Sequence, residues 1–281
     1  MKQKILLTGA TGFIGRNVLP QLQKIHDVAA PSRAELDLLD TNAVRRYLEN
    51  RQLDAVVHLA NPTSQNPIDK FDELFDRSLR VFTSFFHCND LYRRMIYIGS
   101  GAEYGKHRAI KQVIEDTFGQ ELPCDTYGLS RYIMSELAQR YSNIINLRLF
   151  ACYGCGDPPY KLIPHIISCV KANKPVELRQ NVMFDFLYVK DIAPVLMYFI
   201  ENEPTHRTYN LCSGRPTLIS EIAEEVRQQM NSDLPIVFKN EGLGLEYTGN
   251  NDRLRAELRY WEPRLLRDGI REILENETGK I

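Results

Sequence analysis

The segment Ile5-Leu6-Leu7-Thr8-Gly9-Ala10-Thr11-Gly12-Phe13-Ile14-Gly15 constrains this chain more than any other. An apolar run of strand length leads straight into glycines spaced every third residue, and then into helix-like sequence. That order is what a phosphate-binding turn at a strand-to-helix junction requires. One glycine permits the tight turn and the next lets the backbone approach a pyrophosphate. The last lets helix and strand pack closely while the helix N-terminus faces the phosphates. The expected ligand is a dinucleotide, held by Gly9, Thr11, Gly12, Phe13, Ile14 and Gly15.

Further strand-like runs, Asp54 to Leu59, Met95 to Gly99 and Asn146 to Phe150, alternate with longer amphipathic stretches. Such alternation predicts an α/β protein with a parallel sheet covered by helices on both faces. After Tyr153 the pattern loosens into short strand-like pieces, Phe184 to Val189 and Thr208 to Leu211, among helices such as Leu218 to about Asn231. This last third reads as a smaller substrate-side domain. Lys+Arg and Asp+Glu nearly cancel at 35 and 36, so no bulk field draws nucleic acid or an anionic membrane surface. No apolar run approaches the roughly 18 residues of a membrane span. The six cysteines are scattered through a chain long enough to need no staples, which suits a reducing, cytoplasmic setting. Cys152 and Cys155 are a lone pair without further ligands, so no metal site is expected.

About 20 residues beyond the glycine turn, an acid would bond the ribose hydroxyls of NAD and a base would suit the 2′-phosphate of NADP. The stretch is Val28-Ala29-Ala30-Pro31-Ser32-Arg33, with no acid. Ser32 and Arg33 favour NADP(H), with NAD the alternative.

Tyr127 and Arg131 are four residues apart and so share one helix face. A phenol, with an ordinary pKa of about 10, needs a nearby cation to act as an acid or base near neutrality. Ser100 follows the strand Ile96-Tyr97-Ile98-Gly99, at the sheet edge where open α/β folds bind ligands. These three form the candidate catalytic set.

Together these features resemble the extended short-chain dehydrogenase/reductase family, which contains nucleotide-sugar epimerases, dehydratases and 4-ketoreductases. The resemblance covers essentially the whole chain. It rests on the Gly9/Gly12/Gly15 turn, Asp37-Leu38 beside the expected adenine pocket and His58-Leu59-Ala60 closing the fourth strand. Ser100 to Gly105, Tyr127 and the run Asp185 to Asp191 complete it. The resemblance implies a Rossmann-type doubly wound parallel sheet with a smaller, discontinuous α+β substrate domain. The dinucleotide domain would comprise 1–154 plus about 186–213, and the substrate domain about 155–185 plus 214–281. It also implies a homodimer, a nucleotide-sugar substrate, and NADP or NAD bound by Gly9, Thr11, Gly12, Ser32, Arg33, Asp37, Leu38, Leu59 and Ala60. Ser100 would hydrogen-bond the substrate oxygen, Tyr127 would pass the proton, and residue 131 would hold the nicotinamide ribose.

Ser32 to Asp40 looks most like GDP-fucose synthases, which reduce a 4-keto sugar with NADPH. Their epimerising cysteine and histidine correspond here to Ala102 and Lys161, and the acid pair of dehydratases to Gly101 and Ala102. Glu103 is read as a structural carboxylate or a catalytic one. The family lysine is Arg131, which keeps the charge but does not release a proton. Ala151, Cys155 and Phe184 replace residues that usually grip the substrate diphosphate. The leading expectation is an NADP(H)-dependent 4-ketoreductase. The rivals are a 4-epimerase that retains NAD and a dinucleotide-binding protein silenced by Arg131.

Overall fold

A computed structural model describes residues 2–62 and 71–277. Strand β1 (Lys4–Thr8) leads through the glycine turn into α1 (Phe13–Gln23), β2 (Asp27–Ala29), α2 (Thr41–Glu49) and β3 (Leu53–His58). Next come α3 (Phe71–Phe86), β4 (Tyr92–Ser100), β5 (Ile110–Val113), α4 (Thr126–Ala138), β6 (Ile144–Leu149) and β7 (Ala151–Tyr153). Then follow α5 (Leu162–Lys171), β8 (Val176–Leu178), β9 (Met183–Tyr188), α6 (Ile192–Glu201), β10 (Thr208–Leu211) and β11 (Pro216–Leu218). The chain finishes with α7 (Ile219–Gln229), β12 (Ile236–Phe238), β13 (Tyr247–Gly249), α8 (Asp252–Glu257) and α9 (Leu266–Glu277).

The central sheet has the order β10-β6-β4-β3-β1-β2, and every neighbouring pair is parallel. β6 is buried at every position, as a strand covered on both faces must be. On one face Val18 and Leu22 of α1 pack with Val195 and Phe199 of α6. On the other, Val44 and Leu48 of α2 pack with Phe82 and Phe85 of α3 and Met134 of α4. The sheet is therefore doubly wound. β2 and β3 flank β1 on opposite sides, so the crossovers diverge there and leave a crevice at the C-terminal ends of β1 and β3.

A second sheet has the order β11-β9-β13-β5, with β7 on the side of β9. β5 thus leaves the edge of the central sheet to pair with β13. A separate core of Ile163, Ile166, Ile222, Val226 and Ile270 joins α5, α7 and α9. No helix among the described residues is long and apolar enough to cross a membrane.

The structure corrects the strand count. His58 closes the third strand and not the fourth, because Ser32 to Asp40 forms turns. Asp37 Oδ1 accepts from the Leu39 N–H at 3.0 Å, and Asp40 Oδ1 accepts from the N–H groups of Asn42 and Ala43 to cap α2. Such local side-chain bonds compete with a strand ladder. Leu36, buried between them, pins the turn to the core.

Candidate active site

A cleft of about 320 Å³ opens where β1 turns into α1. Gly9, Thr11 and Gly12 form its floor, and Ser32, Arg33, Asp37 and Leu38 form one wall. Leu59 and Ala60 close the other side. Phe13 and Ile14 are not brought to it; they pack toward the core beneath. Gly15 acts by contact, since a Cβ there would lie 2.2 Å from Gly9 O. Gly9 has φ +72°, and a Cβ on it would lie 2.6 Å from Ala60 N. Only glycine fits that turn without strain.

The residues present suit a dinucleotide. The N-cap of α1 is Gly12, with no side-chain cap and no acid in the first turn. Its first N–H groups are left for an anion, with the helix dipole behind them. Thr8 Oγ1 accepts from Ala60 N–H at 3.2 Å and meets His58 Nδ1 at 3.0 Å, which ties the ends of β1 and β3 together. Burial, assisted by the charge of Arg131, pushes His58 down to about 3. His58 is therefore a neutral, packed residue, seated against Phe85 at 5.0 Å between ring centroids.

Ser32 lines the cleft and also holds Glu35. Its N–H donates to Glu35 Oε2 at 2.7 Å, and together with its hydroxyl it holds that carboxylate below the usual range. Arg33 has no hydrogen-bond or ion-pair partner among the described residues. Arg77, on α3, also lines the cleft and was missed from the sequence, where it reads as one charge on a solvated helix face. Its Nη1 pairs with Glu73 at 3.2 Å, while its buried Nε has no partner.

Ser100, Tyr127 and Arg131 come together at the C-terminal end of β4. Asp125 caps α4 by accepting from Gly128 N–H at 2.8 Å. A Cβ on Gly128 would lie 2.9 Å from Ala102 O, so the bare glycine lets α4 close on the turn after Ser100. Ser100 lies close enough to stabilise the Tyr127 phenolate, and the Arg131 guanidinium carbon lies 5.2 Å from the ring centroid. Lys106 adds a second cation, with Nζ at 5.4 Å from that centroid. Desolvation pushes the phenol up, but Arg131, Ser100 and Lys106 together outweigh it and hold Tyr127 below its ordinary value of 10.0. The Tyr127 residue is 44% exposed, so it faces the opening while Ser100 and Arg131 are buried behind it. Arg131 Nε has no hydrogen-bond partner among the described residues, and a buried donor in that state suits a ligand hydroxyl.

Glu103 faces inward. Its carboxylate accepts from Ser100 N–H at 2.9 Å and from Arg148 Nε at 2.6 Å, with Asn146 Nδ2 at 3.0 Å. It is the structural carboxylate of the two readings. Cys152 and Cys155 are free thiols, and Cys155 Sγ sits 3.7 Å from the Tyr188 hydroxyl. Tyr247, from β13, was also missed; its hydroxyl lies beside Gly101, where a Cβ would come within 2.7 Å of it. No local spacing announces a contact made between strands so far apart in the chain.

The profile of the NAD dependent epimerase/dehydratase family matches residues 5–212. The chain belongs to that family. It is thus an NAD(P)-dependent enzyme of the extended short-chain dehydrogenase/reductase type. It is 26% identical over 222 residues to a GDP-6-deoxy-D-talose 4-dehydrogenase of Aggregatibacter actinomycetemcomitans, covering 75% of this chain and 74% of that protein. Its fold matches the GDP-mannoheptose C4 reductase of Campylobacter jejuni with NADP bound, at TM-score 0.84 and 19% identity over 99% of this chain and 98% of that one. It also matches a GDP-L-fucose synthetase of Naegleria fowleri bound to NADP, at TM-score 0.85 and 16% identity over 99% and 94%. At those identities the structural likeness establishes the fold.

Proposed function

We propose that this enzyme uses NADPH to reduce the 4-keto group of a nucleotide-activated deoxy sugar. The observation that carries the reading is the convergence of Ser100, Tyr127 and Arg131. Ala102 and Lys161 stand where an epimerising pair would be, and Glu103 is spent on Arg148. Dehydration and further epimerisation both need such a pair, whereas simple carbonyl reduction does not. The activities named for the talose 4-dehydrogenase and the mannoheptose C4 reductase agree with chemistry at carbon 4.

The bound nicotinamide supplies the hydride. Tyr127 donates the proton, and Ser100 and Tyr127 hold the oxygen as its negative charge develops. Arg131 keeps the phenol acidic and offers its free Nε to the nicotinamide ribose. Because arginine does not deprotonate, the exposed edge of Tyr127 takes its replacement proton from solvent. Arg33, which lines the cleft without a hydrogen-bond or ion-pair partner among the described residues, favours an exchangeable NADPH over the retained NAD of a 4-epimerase. Native mass spectrometry followed by NADPH and NADH titration tests this, with a panel of 4-keto nucleotide sugars after it. Protein purified with bound NAD, or a preference for NADH, would sink the reductase reading.

A further inference from the structure

The register of β4 on β3 sets Tyr97 beside His58, on the sheet face that α3 and α4 cover. Its ring packs edge-on against Phe82, at 5.0 Å between centroids. Arg131 reaches the same place from α4, where its Nη1 meets the Met134 sulfur, a weak acceptor, at 3.7 Å. Tyr97 is 1% exposed and Arg131 6%, yet the Tyr97 hydroxyl and Arg131 Nε have no hydrogen-bond partner among the described residues. A buried polar group in that state costs stability unless something meets it.

Both residues line one small cavity of about 10 Å³, together with His58, Asn61 and Ser78. That volume suits a single water molecule, which when buried takes roughly two to four polar partners. The Arg131 Nε–H and the Tyr97 O–H are free to donate to it. Ser78 Oγ, which itself donates to Asn61 Oδ1 at 3.3 Å, keeps lone pairs that accept from it. Leu59, Ala60 and Asn61 line both this cavity and the dinucleotide cleft, whereas Arg131 lines the cavity and not the cleft. The cavity therefore stands between the guanidinium and the cleft.

We propose that one water molecule occupies this cavity and ties Arg131 Nε to the Tyr97 hydroxyl, which makes Tyr97 the positioning residue of Arg131. Arginine in place of the family lysine brings a planar fork whose Nε must be satisfied inside the protein. The water satisfies it and fixes the turn of the guanidinium, whose carbon lies 5.2 Å from the Tyr127 ring centroid. Nε carries a single N–H, so the hydrogen bond it offers the nicotinamide ribose is relayed through this water. No proton passes through the arginine, and Tyr127 still draws on solvent. The inference rests on Arg131 and Tyr127 serving the proposed reductase.

A high-resolution crystal structure should show one water within hydrogen-bond distance of both Arg131 Nε and the Tyr97 oxygen. Tyr97→Phe keeps the ring on Phe82, removes one oxygen and should lack that water. Ultraviolet difference titration, with Tyr127→Phe subtracted in each background, reads the Tyr127 phenol without substrate or cofactor. Burial holds the Tyr97 phenol well above its ordinary value, so it does not titrate alongside. Arg131, Lys106 and Ser100, which act on Tyr127, are all still present in Tyr97→Phe. Tyr127 should nonetheless ionise about half a pH unit higher there, because a loosened guanidinium stabilises its phenolate less. In the Arg131→Met background Tyr97→Phe should move it no further, since Tyr97 acts through Arg131. NADPH and NADH should both bind about tenfold more weakly to Tyr97→Phe. A dry cavity in the native protein overturns the proposal, as does an unmoved titration, with or without a lowered melting temperature. An additive shift in the double variant, or unchanged cofactor binding, overturns it too. The expected water, titration and cofactor binding together with no reduction of any keto sugar would sustain the role of Tyr97 and sink the reductase reading instead.

Discussion

Glu103 and Arg148 meet at 2.6 Å with neither side chain exposed to water, directly beneath Ser100. The pair joins the turn after β4 to β6, and Ser135 Oγ and the Tyr104 hydroxyl complete the guanidinium's partners. Desolvation alone would lower the Arg148 pKa, but Glu103 and Tyr104 reverse that and raise it, so the charge stays in place. Breaking such a pair leaves an uncompensated buried charge, at about 3–5 kcal/mol. Glu103→Gln should therefore lose roughly that much stability in urea unfolding. It should also lower turnover, because the Ser100 N–H loses its anionic acceptor. Undiminished stability would show that Arg148 finds another counter-charge.

Tyr127 carries the pH dependence. In the reducing direction it must hold its proton, so the rate is lost as pH rises through its pKa, which Arg131, Ser100 and Lys106 keep below 10.0. Arg131→Met removes the main cation; the basic limb should move to higher pH while the maximal rate falls about 10–100-fold. Arg131→Lys should leave the limb where it is. Tyr127→Phe should lower kcat about a hundredfold or more with the NADPH Kd unchanged. A limb that ignores both Arg131 variants would mean that another group supplies the proton.

Two arginines line the dinucleotide cleft, Arg33 on the turn after β2 and Arg77 on α3. They should be separable by cofactor. Arg33→Ala should weaken NADPH about 10–100-fold, the worth of a charge-assisted contact, and leave NADH nearly untouched. Arg77 stands on α3 and not on the turn where the 2′-phosphate is expected, so Arg77→Ala should weaken both cofactors alike. Isothermal titration of each variant with each cofactor decides it, and equal losses for Arg33→Ala would remove the 2′-phosphate from the account.

Much of this arrangement is legible in the amino-acid sequence because it is local. The glycine turn is specified by a short apolar run and by the approaches of Gly12 and Gly15 to Gly9 O, all within Lys4 to Gly15, and only the contact of Gly9 with Ala60 comes from elsewhere in the chain. Tyr127 and Arg131 share a face by helical spacing alone. What the sequence hides is long-range or competitive. β5 pairs with β13, and that pairing brings Tyr247 to Gly101 in the turn after β4. The turn from Ser32 to Asp40 shows only when the carboxylates of Glu35, Asp37 and Asp40 are seen holding backbone N–H groups. Arg77 looks like any helix-surface arginine until the crevice beside it is known.

His58 gives the fold its own pH response, distinct from that of the chemistry. It is buried, and desolvation with the Arg131 charge moves it from 6.5 to about 3. In the unfolded chain it takes up a proton near 6.5, so between those values the unfolded state binds more protons than the folded one. Stability from this group is complete above pH 6.5 and is lost as pH falls toward 3. At pH 5 the loss should be about 2 kcal/mol. His58→Asn keeps a polar partner for Thr8 and removes the titration. Its unfolding free energy should lie below that of the native protein at pH 7.5, and the difference should shrink by about 2 kcal/mol at pH 5. A constant difference between the two proteins across that range would show that His58 is charged, or hydrated, inside the fold.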